Sequence, residues 1–195
     1  MRQYVNHHIS CANVKLMIKI LIFYYAYSIK IALYNKDRMH KERGMDDLQL
    51  WLTTIKTWYS DENPNNIKPL IAIISATPIS LFTVADPNTH SQNEEALAYW
   101  LDGCDKISRF YRQQQPELAF TYIQLPYAKL QALICDPQQS ATTKRWSLKK
   151  LDHIIVTLLE FCQYQQLQHW QQQSDDLIDL HVIFMAAQQH LNLKY

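Results

Sequence analysis

The sequence predicts an all-α fold, a single-domain bundle of five to seven helices, and three observations carry that prediction. The chain of 195 residues is long enough for one domain but not for two comfortable ones. It has only two glycines, Gly44 and Gly103, so it lacks the usual supplier of positive φ at the tight turns of a hairpin-rich β domain. Beyond Met45, apolar residues recur at three- and four-residue steps, the helical period. The glycine count also excludes a Walker loop, a dinucleotide fingerprint and a nucleophile elbow, each of which needs two or more glycines at fixed spacing.

The elements follow in order. Leu48, Trp51, Leu52, Ile55, Trp58 and Tyr59 share one helix face that ends near Ser60, where Asp61-Glu62-Asn63-Pro64-Asn65 stops it. Residues 67–85 read as two short helices divided at Thr77-Pro78, with Thr77 as cap and Pro78 as first helical residue. The β-branched Ile71, Ile73, Ile74, Ile79, Thr83 and Val84 make a short β-hairpin at 67–85 the alternative, disfavoured because no glycine stands at its turn. Ser91 to Glu94 fits a capping box for a helix that carries Leu97, Trp100, Leu101, Cys104, Ile107 and Tyr111 and runs to about Gln114. Pro116 opens the next helix, and Pro126 is expected to break it near Leu125, after which Tyr127, Leu130, Leu133 and Ile134 continue the stripe. From Trp146 to about Gln173 the pattern reads as one long central helix, with Leu148, Leu151, Ile155, Leu158 and Cys162 in register and an apolar middle widened by Ile154, Val156 and Phe161. Ser174 and Asp175 are expected to cap a last helix bearing Leu177, Leu180, Phe184, Ala187 and Leu191.

Charge divides the chain before Met45. Residues 1–44 hold eight basic and two acidic residues, a formal +6, whereas residues 45–195 hold eleven basic and sixteen acidic, a formal −5. Such asymmetry marks a tail, a targeting segment or a misassigned start. The stretch from Leu16 to Tyr34 is interrupted by Lys19 and Lys30, leaving ten unbroken apolar or small residues from Ile20 to Ile29, about half of what a spanning helix needs. A signal peptide is also poorly matched, since Tyr24, Tyr25 and Tyr27 crowd its apolar region. The favoured reading is translation from Met45: Lys41-Glu42-Arg43-Gly44 has purine-rich codons of the kind found in a bacterial ribosome-binding site, and all five Trp and all seven Pro lie beyond it. On this reading 45–195 is a cytoplasmic helical domain. The alternative is a chain associated with the inner membrane through residues 16–34, and only translation of 1–44 would make a membrane its partner.

No motif in the sequence is specific for one chemistry. His90, His153, His169, His181 and His190 stand at no metal-ligand spacing from one another or from Cys104, Cys135 and Cys162. Cys162 and His169 are two helical turns apart, roughly 10 Å. Neither metal nor cofactor is expected, and the three cysteines read as buried reduced thiols. Asp175, Asp176 and Asp179 read as first-turn acids that complement a helix dipole, and Asp102 with Lys106 and Asp105 with Arg109 as i,i+4 pairs. A Cys162 nucleophile paired with His153 or His181 has nothing visible to activate it.

Two surfaces remain. Lys144, Arg145, Trp146, Lys149 and Lys150 place four cations and a ring at a helix start, where a phosphate or an acidic partner is attracted, although the body's −5 charge opposes a polyanion. Tyr164 and Trp170, in a glutamine-rich segment that reads as exposed, are candidates for protein contact. The expected function is therefore non-catalytic: interaction with a protein partner or a second copy, or regulation. A nucleic-acid-associated regulator using the helix start 144–150 is the alternative.

Overall fold

The computed structural model describes residues 47–61, 66–83 and 90–188, with the His90 side chain excepted; the leader 1–44, Met45, His190, Leu191 and Tyr195 lie outside them. The described residues form helices only: α1 (Asp47–Ser60), α2 (Ile67–Ser75), a 3-10 turn η1 (Ile79–Phe82), α3 (His90–Tyr111), α4 (Pro116–Cys135), α5 (Ala141–Gln165) and α6 (Gln168–Ala187). Among the described residues no helix is long and apolar enough to cross a membrane.

Most of the periodic residues form the core, because one face of each helix carries them; on α6 only Leu177 of the expected stripe is buried, Leu180 and Phe184 being half-buried and Ala187 exposed. Leu48, Trp51, Leu52 and Ile55 of α1 are buried, as are Leu97, Trp100, Cys104 and Ile107 of α3 and Leu148, Leu151, Ile155, Leu158 and Cys162 of α5. The short pair α2 and η1 replaces the hairpin alternative at 67–85 in the described part of that segment. Thr77, two residues past the end of α2, turns back to it rather than capping the next turn: its hydroxyl donates to the Ile74 carbonyl at 2.7 Å, and Pro78 stands just ahead of η1 in extended conformation. The N-terminal elements α1, α2 and η1 pack on α3, and the Trp51 indole ties α1 to α2 by donating to the Ile73 carbonyl at 2.9 Å.

Four expectations need correction. First, α4 passes through Pro126 without a break. Proline removes one amide donor and crowds the preceding turn, but Ile123, Pro126, Tyr127 and Leu130 are all buried, and packing on both sides holds the helix where propensity would end it. Second, the central helix is α4, which packs on both α3 and α5, while α5 keeps an exposed side with Val156 at 52%. Third, α3 starts at His90, so Ser91 lies inside the helix rather than capping it.

The fourth correction shapes the site. The long helix stops at Gln165, Gln166 takes a left-handed conformation with φ 54°, and α6 begins at Gln168, well before Ser174. Trp170 is the physical reason. At about 100° per residue, an unbroken helix would place it roughly 180° from Phe161, on the solvent side. The turn instead folds the Trp170 ring onto Phe161, with centroids 5.3 Å apart, and onto Phe120 at 5.0 Å. Fully burying so large a ring contributes roughly 3 kcal/mol, which exceeds the cost of about 1–2 kcal/mol for a left-handed non-glycine residue.

Candidate interaction surface

The basic start of α5 is spread rather than focused. Arg145 and Lys149 are exposed, Lys144 and Lys150 half-buried, and Trp146 half-buried against the core with the Lys150 ammonium over its ring at 5.7 Å. None of these four cations forms an ion pair among the described residues. The amides there are partly taken: the Ser140 hydroxyl accepts from the Thr143 amide at 3.0 Å, and the Ser140 carbonyl accepts from Lys144. A phosphate arriving here would compete with that cap.

Tyr164 and Trp170 separate. Tyr164 is 59% exposed, whereas Trp170 is 4% exposed and belongs to the core, which corrects its reading as a contact residue. Arg112, from the end of α3, brings its guanidinium to 5.1 Å from the Tyr164 ring and 5.5 Å from the Phe161 ring. Nothing in the sequence placed Arg112 there, because α3 and α5 are joined only through the fold.

The exposed apolar residues fall mainly on the last two helices. Val156 on α5, Tyr164 and Leu167 at the turn, and Ile178, Val182 and Ile183 on α6 are six of the eight large apolar side chains exposed among the described residues. On α6 the buried Trp170 and Leu177 face inward, and Ile178, Val182, Ala186 and Ile183 span an arc of roughly 140° on the outer side. From Leu177 onward α6 is apolar beyond its buried stripe, and it packs chiefly on α5. Exposed Asp175 and Asp179 share its outer side. The signal was present in the sequence as the adjacent apolar pairs Leu177-Ile178 and Val182-Ile183, which a single-stripe reading passes over.

A polar chain fastens α6 from inside. His181 Nδ1 lies 3.0 Å from the Tyr127 hydroxyl of α4, and its Nε2 lies 3.6 Å from Asp152 Oδ1 of α5. Burial holds the imidazole below its ordinary 6.5, with Asp152 pulling the other way, so at neutral pH it is uncharged. The Tyr127 phenol is pushed up by burial and by Asp152, the opposite of activation.

The remaining chemistry is quiet. Burial pushes the Cys162 thiol up to about 11 and raises Cys104 as well, so both stay protonated where a nucleophile needs the thiolate. Cys135 is exposed, in contrast to the buried thiol expected. The pairs Lys106–Asp102 and Arg109–Asp105 form at 3.4 and 2.7 Å, as their spacing predicts. Asp102 also accepts a hydrogen bond from the Tyr59 hydroxyl, joining α1 to α3. Asp175, Asp176 and Asp179 lie in the middle of α6 and not in its first turn, which removes the dipole reading. Among the described residues no group of three or more His, Cys, Asp or Glu could hold a metal ion. Compared with known proteins, the chain matches no family model, no curated protein and no solved structure.

Proposed function

We propose that this protein is a non-catalytic bacterial interaction protein of the cytoplasm whose outer α6 surface binds another protein. The observation that supports the reading most is the concentration of exposed apolar side chains on α5, α6 and their turn, with Ile178, Val182 and Ile183 at its centre. Contact surfaces of this kind combine a central apolar group with a charged rim. Asp175 and Asp179 lie within the same outer arc, so the fitting partner carries an apolar surface that also offers Lys or Arg. Buried protonated thiols are in keeping with a reducing compartment.

The test is position-resolved photocrosslinking in the native cell. A photoreactive residue at Ile178 or Val182 is expected to give one defined adduct that disappears when Ile183→Asp is added, while the same residue at Thr53, exposed on α1, gives none. Equal labelling from both positions, or none from either, would overturn the reading. An adduct at twice the chain's own mass would replace the foreign partner with a second copy.

A second reading rests on the unpaired Lys144, Arg145, Lys149 and Lys150: contact with nucleic acid at the start of α5. Affinity should then fall steeply as salt rises, with a shallower slope in Lys144→Ala/Arg145→Ala. Absence of binding at low salt would remove it.

A further inference from the structure

The end of the bundle where α3 stops and α5 turns into α6 holds several N–H groups that lack acceptors. Arg112 is half-buried, its guanidinium lies against the Phe161 and Tyr164 rings, and it forms no ion pair among the described residues. Its Nε is fully buried and has no hydrogen-bond partner. The Trp170 indole Nε1 is in the same state, on a ring that packs against Phe161 and is itself 4% exposed. So is Gln165 Nε2, one helical turn beyond Phe161 on the same face of α5. The Arg112 guanidinium and the Trp170 ring both meet Phe161, Gln165 follows one turn along α5, and the unmatched buried atom on each of the three is a donor.

Buried polar groups in folded proteins are matched with few exceptions, and a partly buried cation without a counter-charge is costly. The mismatch here has one sign. Its complement is a group that only accepts hydrogen bonds and carries negative charge, which describes a carboxylate, and a carboxylate also suits the planar fork of arginine. Tyr164 at 59% and Leu167 at 55% exposure flank the site, so apolar surface is at hand for residues on either side of such a carboxylate. A bare anion would leave that surface uncovered; a peptide would cover it.

We propose that this end of the bundle is a binding site for an acidic segment of a protein partner, with a Glu or Asp carboxylate on the Arg112 guanidinium, which lies over the ring that Trp170 packs against. The site is separate from the outer face of α6 and stands whether or not that face is occupied.

The test is an NMR titration of the full chain, following the indole Nε1–H signal of Trp170, assigned with Trp170→Phe, and the Nε–H signal of Arg112. The probe is a capped twelve-residue peptide of alternating Glu and Leu pairs, with a peptide of the same length carrying Gln for Glu as control. Saturable shifts of both signals with the Glu peptide, at least tenfold weaker with the Gln peptide and with Arg112→Lys, are expected. The indole signal of Trp100, buried in α3, should stay in place and reports that each variant is folded. Arg112→Gln should abolish the response while leaving Trp100 unmoved. No shift at millimolar peptide, equal shifts with the Gln peptide, or an unchanged response in folded Arg112→Gln would overturn the proposal. Inorganic phosphate shifting both signals as strongly as the peptide at equal concentration would overturn it too, in favour of a free-anion site.

Discussion

Gly103 lies in the interior of α3, facing α2, and its replacement by alanine tests the packing of the N-terminal elements. A Cβ at that position would stand 2.6 Å from Ile74 Cδ1, 3.2 Å from Ile74 Cγ1 and 3.5 Å from Leu70 Cδ1. Ile74 and Leu70 are 1% and 0% exposed, so the displaced methyl has only packed core to move into. Alanine improves helix propensity over glycine by about 1 kcal/mol, whereas forcing an extra carbon into a filled core costs about 1–3 kcal/mol. Overpacking wins, and Gly103→Ala should lower stability by about 1 kcal/mol, equivalent to roughly 2–4 °C in Tm for a chain of this length. Ile74→Val should cost about 1 kcal/mol alone, but it removes the carbon that the new methyl strikes. In that background Gly103→Ala should be neutral or stabilising, giving a coupling of about 1–2 kcal/mol. Urea unfolding of the wild type, both single variants and the double variant, followed by tryptophan fluorescence, measures the cycle. Additivity within about 0.5 kcal/mol, or stabilisation by Gly103→Ala alone, would refute the close approach of α2 to α3.

Four further expectations follow from the geometry. Ser140→Ala removes the side-chain cap of α5 and should cost about 1 kcal/mol in the same unfolding assay. Trp170→Ala should cost about 3–5 kcal/mol, as for a large core ring, against about 1 kcal/mol or less for Tyr164→Ala, whose ring meets solvent and the Arg112 cation; similar losses would contradict the separation of the two residues. His181 has a folded-state pKa below its ordinary 6.5, so the unfolded chain takes up that proton first as pH falls. Its contribution is therefore complete above pH 6.5 and is lost as pH drops through 6.5 toward the folded value. Stability measured from pH 7.5 to 5 should fall less in His181→Asn than in the wild type. Asp152→Asn should lower the His181 midpoint further by NMR, because Asp152 supports the charged form; a midpoint above 6.5 would contradict the buried neutral ring.

The helices of the core were legible from residue spacing, since burial of one face is what the 3.6-residue period encodes. Leu148, Leu151, Ile155, Leu158 and Cys162 were read as one stripe and are buried together. Pro126 misled the reading because its local cost is offset by the burial of Ile123, Tyr127 and Leu130, which propensity does not count. The break at Gln166 carries no glycine or proline to announce it, and its cause, the Trp170–Phe161–Phe120 contact, joins residues far apart in the chain. Trp170 was consequently placed in solvent. The placement of Arg112 likewise depends on contacts between distant helices, and the outer face of α6 is a second apolar stripe beside the first. Of the candidate residues, Tyr164 is exposed as the spacing suggests, and the four cations at 144–150 lie at the start of α5, Arg145 and Lys149 exposed and Lys144 and Lys150 half-buried.

The outer surface of α6 is the centre of this account, and hydroxyl-radical footprinting in intact cells against the purified chain tests it most directly. Ile178, Val182 and Ile183 should be oxidised several-fold less in the cell than in the purified chain, while Ile79 and Phe110, equally exposed on other elements at 61% and 47%, should react alike in both. Equal oxidation of the three α6 residues in the two samples would contradict the account and leave that face open to water.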